Sequence, residues 1–228
     1  MKEATKTKLI HEAKFIPFLQ GEGIDIGCGN DPILPSARPF DQVDGDANEI
    51  TKFIDKKFDF VFSSHSLEHM KDPRKAAQEW FELLKPGGYM VTVVPDEDLY
   101  EQGLFPSRFN SDHKYTFTLN KGRSWSPRSI NVMELCCDLT KNNNGQIIMA
   151  ELQEDNYDRK LYIHRPNRWN ILMGKLCGKL RSVFKSKSSQ AFVVKVMNKL
   201  GAVVDQTSMP DDRLAQIMFV VKKSELYH

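Results

Sequence analysis

Four cysteines stand in 228 residues, and no two of them form a CxxC pair. Cys28, Cys136, Cys137 and Cys177 lie far from any histidine cluster in the sequence, so their spacing excludes the usual zinc frameworks and points to reduced thiols with neither metal nor disulfide. Long apolar runs are missing too. No stretch approaches the roughly 20 residues that span a bilayer. The opening MKEATKTKLIHEAK lacks the apolar core of a secretory signal, so the expected location is the cytoplasm. Repeats and low-complexity tracts are absent, which excludes solenoid architectures. With 40% apolar residues, the chain can fill the core of a single domain over 1–228.

The most uneven absence is local. Residues 159–199 contain 11 Lys and Arg and no acid, whereas residues 1–158 hold 26 acids against 18 bases, and the net charge of +2 conceals both. Within this block, Trp169, Leu172, Met173, Leu176, Cys177, Leu180, Val183 and Phe184 recur at helical spacing, with Lys175, Lys179, Ser182 and Lys185 on the other side. An amphipathic basic helix over 165–187 suits an anionic membrane surface. It equally suits a helix packed on its own domain or on a second subunit, with its lysines in water. Few aromatics stand among the charges, which counts against nucleic acid.

What is present over the first hundred residues alternates strand and helix. GIDIG at 23–27 reads as a buried strand entering a Gly-Cys-Gly turn, and FDFVFSS at 58–64 as a strand buried on both faces. DPRKAAQEWFELLK has Asp72 as its cap and Pro73 at its first position, stops at PGG, and leads to the strand YMVTVVP. Strand, helix, strand in that order predicts an α/β fold with parallel pairing. A helix is predicted around Thr5–Phe18 and another over SPRSINVMELCCDL from a serine cap. NNNG reads as a turn, QIIMAELQ and RLAQIMFVVKK as strands, and the basic block as an insertion over 156–213 between those last two.

A turn of the DxGxG type serves nicotinamide, flavin and S-adenosylmethionine sites alike. A dinucleotide fingerprint requires a further glycine or alanine where this chain has Pro32, and ILPSARP opens a helix poorly. A pyrophosphate ligand, and with it a nicotinamide oxidoreductase, is disfavoured, while a smaller cationic adenosyl ligand stays open. Gly27 and Gly29, around Cys28, let such a ligand lie against the backbone. Asp25 can accept from its ammonium group, or cap a helix instead.

In order, GIDIGCGNDP, VDGDAN, FDFVFSSHSLEHMKDP and LLKPGGYMVTVVPDEDLY resemble the class I S-adenosylmethionine-dependent methyltransferases, and among them a bacterial branch found with polysaccharide and lipopolysaccharide genes. The likeness is strong from Gly23 to Thr118 and weak over the final strand. It implies a Rossmann-like fold with a mostly parallel seven-stranded sheet and helices on both faces. It also implies S-adenosylmethionine as cofactor and methyl transfer to an oxygen of a glycan, sugar or lipid-linked saccharide. A non-catalytic S-adenosylmethionine-binding or scaffold subunit is the alternative from another class. By the same likeness Asp25, Gly27, Cys28 and Gly29 floor the cofactor pocket, and Asp41 holds the ribose with Asp44 as rival. Asp46 and Ala47 meet the adenine, and Ser64 and His65 flank the ligand at a strand's carboxyl end. His69 reads as a packing histidine.

The polar loop after VPDEDLY gathers Tyr100, Glu101, Arg108, Asn110, Asp112, His113 and Lys114, and loops of that length are usually functional. Methylating a hydroxyl calls for a base, which His113 oriented by Asp112 supplies, with His65 as a second acid/base candidate. An anionic acceptor needs no strong base, and Tyr100, Arg108 and Lys114 would bind it. The same residues also suit a tied-down surface loop.

Overall fold

The computed structural model describes residues 3–119, 121–209 and 212–225. The strands are β1 (Gly23–Ile26), β2 (Arg38–Phe40), β3 (Phe58–Ser64), β4 (Leu84–Pro95), β5 (Thr116–Thr118), β6 (Ser129–Asn131), β7 (Gly145–Gln153) and β8 (Gln216–Lys223). The α-helices are α1 (Glu3–Phe15), α2 (Pro73–Glu82), α3 (Val132–Leu139), α4 (Arg168–Val183) and α5 (Lys187–Lys199). One sheet runs in the order β2-β1-β3-β4-β8-β7, with β2, β1, β3 and β4 parallel and β8 antiparallel to both its neighbours. Strands β5 and β6 pair in parallel beside it.

This is a Rossmann-like α/β fold, mostly parallel, but the main sheet has six strands among the described residues where seven were expected. Residues 41–57, where a further helix and edge strand would have to fit, are occupied by the turns around Asp41–Asp46, a 3-10 turn at Ala47–Lys52 and a short link into β3. No helix separates β1 from β2 either, as ILPSARP suggested.

Both faces of the sheet are apolar, which is why its central strands read as continuous hydrophobic runs. Val61, Met90, Ile217, Phe219 and Val221 pack with α2 and α3, while Phe60, Phe62, Val91, Val93, Met218 and Val220 pack with α1 on the other face. Helix α2 begins where its signals place it, with the Asp72 carboxylate accepting from the Arg74 and Lys75 amides at 3.1 and 3.2 Å. It ends at Glu82, and β4 starts at Leu84, so PGG lies in the irregular first part of that strand.

The serine cap expected for the next helix is not formed. Helix α3 starts at Val132, capped by the Asn131 side chain, which accepts from the Met133 amide at 2.9 Å. The residues before it are held extended beside β5 by the buried Glu97 carboxylate, which collects the hydroxyls of Thr116, Ser124 and Ser129 and the Lys121 ammonium.

Between β7 and β8 the basic segment folds as α4 and α5, which close around Met173, Cys177, Val194 and Met197 in a core separate from those of the sheet. That contact covers only part of the apolar stripe of α4. Trp169 is 57% exposed and Val183 73%, and Leu172 and Leu176 are also exposed.

Candidate functional site

At the carboxyl ends of β1 and β3 the chain opens a cavity of about 740 Å³, within the roughly 300–1,000 Å³ of small-molecule sites. This is where open α/β sheets bind ligands. Its floor is the turn after β1. Gly27 has φ +76° and Gly29 φ +54°, and a Cβ on Gly27 would stand 2.0 Å from the Ser66 hydroxyl oxygen, so glycine is required there by conformation and by space.

Asp41, at the end of β2, closes the floor by accepting from the Gly29 amide at 2.7 Å and the Gln42 amide at 2.7 Å. An ionised carboxylate offers about four acceptor positions, so two remain for a ligand. Asp44 turns its carboxylate back to the Asp41 amide at 2.9 Å and lies outside the cavity wall. Asp46 and Ala47 line the cavity. The Asn48 side chain and amide, with Lys71 at 3.2 Å, hold the Asp46 pKa down to about 2.

Asp25 lies one layer beneath, within β1, and is buried. It caps no helix; its carboxylate accepts from the Ile33 amide at 2.7 Å, which pins the loop after the glycines. Burial pushes its pKa up to about 7, opposed by the Ile33 amide and assisted by the charge of Asp31. Gly29 and Cys28 lie outside the wall; Cys28 is half-buried, and burial with the nearby Asp25 charge pushes its thiol up to about 11, so it stays protonated.

Beyond β3 the chain reverses at His65, whose φ is +52°, and places Ser66 over Gly27. Ser66 and His65 therefore line the cavity, and Ser64, expected there, does not. The Ser64 hydroxyl is buried without a hydrogen-bond partner among the described residues.

The expected Asp112–His113 pair does not form. A turn in which the His113 amide donates to the Asn110 carbonyl sends the two side chains apart. His113 is buried, and its Nδ1 meets Glu101 Oε1 at 2.7 Å, whereas Asp112 Oδ2 meets His69 Nδ1 at 2.9 Å. Burial works to lower the His113 pKa, but the Glu101 hydrogen bond and the charges of Glu68, Glu101 and Asp112 outweigh it and leave the imidazole more basic than usual. His69, read as a packing histidine, instead stands in the cavity wall with Asp112 and Lys114. The Lys114 ammonium donates to the His69 carbonyl.

Two further substrate-side candidates lie away from the wall. Arg108 donates to the Ile171 carbonyl of α4 at 3.1 Å, so it ties the loop to the helical segment, and burial lowers its pKa. Tyr100 stacks on His113, with ring centroids 5.3 Å apart.

The residue missed altogether is Glu68. It is fully buried and neither carboxylate oxygen accepts a hydrogen bond from the described residues, yet its Oε1 lies 3.6 Å from His65 Nδ1, 3.9 Å from His69 Nε2 and 3.8 Å from His113 Nε2. The signal was present in HSLEH, which sets an acid among two histidines within five residues.

A family model described as a methyltransferase domain matches residues 2–133. Among solved structures, the cyclase SpnF shares 15% identity at a TM-score of 0.51, covering 98% of this chain and 82% of that one. An S-adenosylmethionine-dependent methyltransferase from Archaeoglobus fulgidus shares 16% identity at a TM-score of 0.46, covering 97% of this chain and 94% of that one. No curated protein matches the chain. Likeness at these identities speaks to the fold and not to the chemistry.

Proposed function

The chain belongs to the methyltransferase-domain family, with S-adenosylmethionine as its cofactor, and from that premise we propose that it methylates an oxygen of a sugar, glycan or lipid-linked saccharide in surface-polysaccharide biosynthesis. The cavity fits the cofactor on its own evidence, because the left-handed Gly27 in its wall admits a ligand against the backbone and Asp41 keeps acceptor positions unused. When bound, S-adenosylmethionine supplies a methyl group on a cationic sulfur. Asp41 takes the ribose hydroxyls, Asp46 with Ala47 takes the adenine, and Asp25 answers the ammonium group from beneath the floor.

The observation that carries the acceptor assignment is the Asp112–His69 pair in the cavity wall, at 2.9 Å. Asp112 accepts from Nδ1 and so leaves Nε2 as the basic nitrogen, the state needed to take a proton from a hydroxyl as its oxygen is methylated. Lys114 steadies the His69 backbone. Holding donor and acceptor in line contributes most of the acceleration, on the order of 7–11 kcal/mol.

The saccharide is reached at a membrane surface in this reading. Support comes from α4 and α5, which expose Trp169, Leu172, Val183 and Phe192 in a segment without acids. Among the described residues no helix is long and apolar enough to cross a membrane, and in this reading the contact is peripheral, on the cytoplasmic side. The test is incubation with labelled S-adenosylmethionine and a panel of saccharide and amine acceptors. Labelled methyl on oxygen supports the assignment, and label confined to nitrogen overturns it. Cofactor binding without turnover on any acceptor would favour the non-catalytic alternative.

A further inference from the structure

We propose that Glu68, His69 and His113 form a binding site for a first-row divalent transition-metal ion on the acceptor side of the cofactor cavity. One ligand atom from each of the three lies within 4.8 Å of the others. The carboxylate of Glu68 is fully buried with no hydrogen bond among the described residues, a costly arrangement unless a cation compensates it. The imidazole nitrogens of His69 and His113 stand 3.9 and 3.8 Å from it, too far for hydrogen bonds. In a tetrahedral site with metal–ligand bonds of about 2.0–2.2 Å, ligand atoms lie roughly 3.4 Å apart, so each nitrogen has only a few tenths of an ångström to close toward Glu68 Oε1.

The outer nitrogens agree with this assignment. His113 Nδ1 is held by Glu101 at 2.7 Å and His69 Nδ1 by Asp112 at 2.9 Å, which leaves Nε2 of each ring as the nitrogen able to ligate an ion. A carboxylate behind each ligating histidine is the usual support of such sites. His65 Nδ1 lies 3.6 Å from the same carboxylate oxygen but outside the three-residue cluster, and its Nε2 meets Gln216 Oε1 at 3.0 Å. Imidazole and carboxylate together suit zinc, iron or manganese, and not magnesium or calcium, which favour oxygen throughout. The expectation of no metal rested on cysteine spacing, which does not report on this cluster.

The consequence rests on oxygen methylation as proposed above. An acceptor hydroxyl coordinated to the ion gives up its proton to solvent more readily. The Nε2 of His69 is then a ligand and no longer the base.

The experiment uses the full chain, stripped with a chelator and titrated calorimetrically with zinc chloride, without cofactor or acceptor. We expect one ion per chain with submicromolar affinity. His69→Ala and Glu68→Gln should each weaken binding at least about 100-fold, since even outer partners of metal ligands are worth 10–100-fold. Cobalt in place of zinc should give visible absorption bands that both variants lose, and magnesium should not compete. Glu68→Gln removes a buried charge while keeping its shape, so it should fold, as circular dichroism can verify. Wild type binding no stoichiometric zinc, its buried carboxylate balanced instead by a protonated histidine, would overturn the site, as would both variants binding as tightly as wild type. That failure would leave methyl transfer with the Asp112–His69 base intact. Conversely, tight zinc binding with no labelled oxygen acceptor would remove the function and keep the site.

Discussion

Asp25 is the group through which pH should reach the cofactor. Its pKa stands at about 7, chiefly from burial, against 3.8 for an ordinary aspartate. The folded chain without cofactor therefore holds a proton that the unfolded chain releases near pH 4, and the unfolded state binds fewer protons throughout that window. Stability from this group falls as pH rises from about 4 to 7, by up to roughly 4 kcal/mol at 1.36 kcal/mol per unit. Ligand binding has the opposite dependence, because the ammonium of S-adenosylmethionine or its demethylated product is matched by the ionised carboxylate. With a pKa of 7, about 3% of Asp25 is ionised at pH 5.5 and about half at pH 7.0, so affinity should rise about 16-fold over that interval. Asp25→Asn keeps an acceptor for the Ile33 amide and removes only the charge. It should bind the product more weakly by about 1.5–3 kcal/mol at pH 7 and show a flat pH profile. Calorimetry in buffers of different ionisation enthalpy reads the released proton directly. A flat wild-type profile, or a variant that keeps both affinity and slope, would refute the reasoning.

On the acceptor side, His69→Ala and Asp112→Asn should each lower turnover about 100-fold with cofactor affinity unchanged, measured by product release and by calorimetry. Asp41→Ala should weaken cofactor binding by at least about 1.5 kcal/mol, since it also frees the Gly29 amide, whereas Asp44→Ala should stay within about 0.5 kcal/mol. Replacing Lys175, Lys179 and Lys185 by Gln should reduce co-sedimentation with vesicles containing phosphatidylglycerol by up to roughly 3 kcal/mol, and salt should weaken the wild type likewise. Arg181 is left in place in that variant because it donates to the Ser208 carbonyl at 3.2 Å.

Much of the fold was legible because its signals are local. Asp72 starts α2 by accepting from the Arg74 and Lys75 amides, and FDFVF is apolar but for Asp59 because both faces of the sheet are covered. Where a distant partner decides, local reading fails: Ser129 looks like part of a helix start but is held extended by Glu97, 32 residues away. The seven-stranded expectation came from family likeness, and residues 41–57 are too few to honour it. Family likeness favours Asp41 with Asp44 as rival, and the amides they accept from separate the two in the structure. Asp112 and His113 illustrate the converse, because neighbours in a turn point apart and each finds its partner elsewhere.

The account turns on where the methyl group goes. Purified chain incubated with S-adenosylmethionine carrying a deuterated methyl group and with a lipid-linked saccharide fraction should yield, by mass spectrometry and fragmentation, a saccharide labelled on oxygen. The label should drop about 100-fold with His69→Ala. Label on nitrogen alone, or product release no faster than that of the variant, would contradict it.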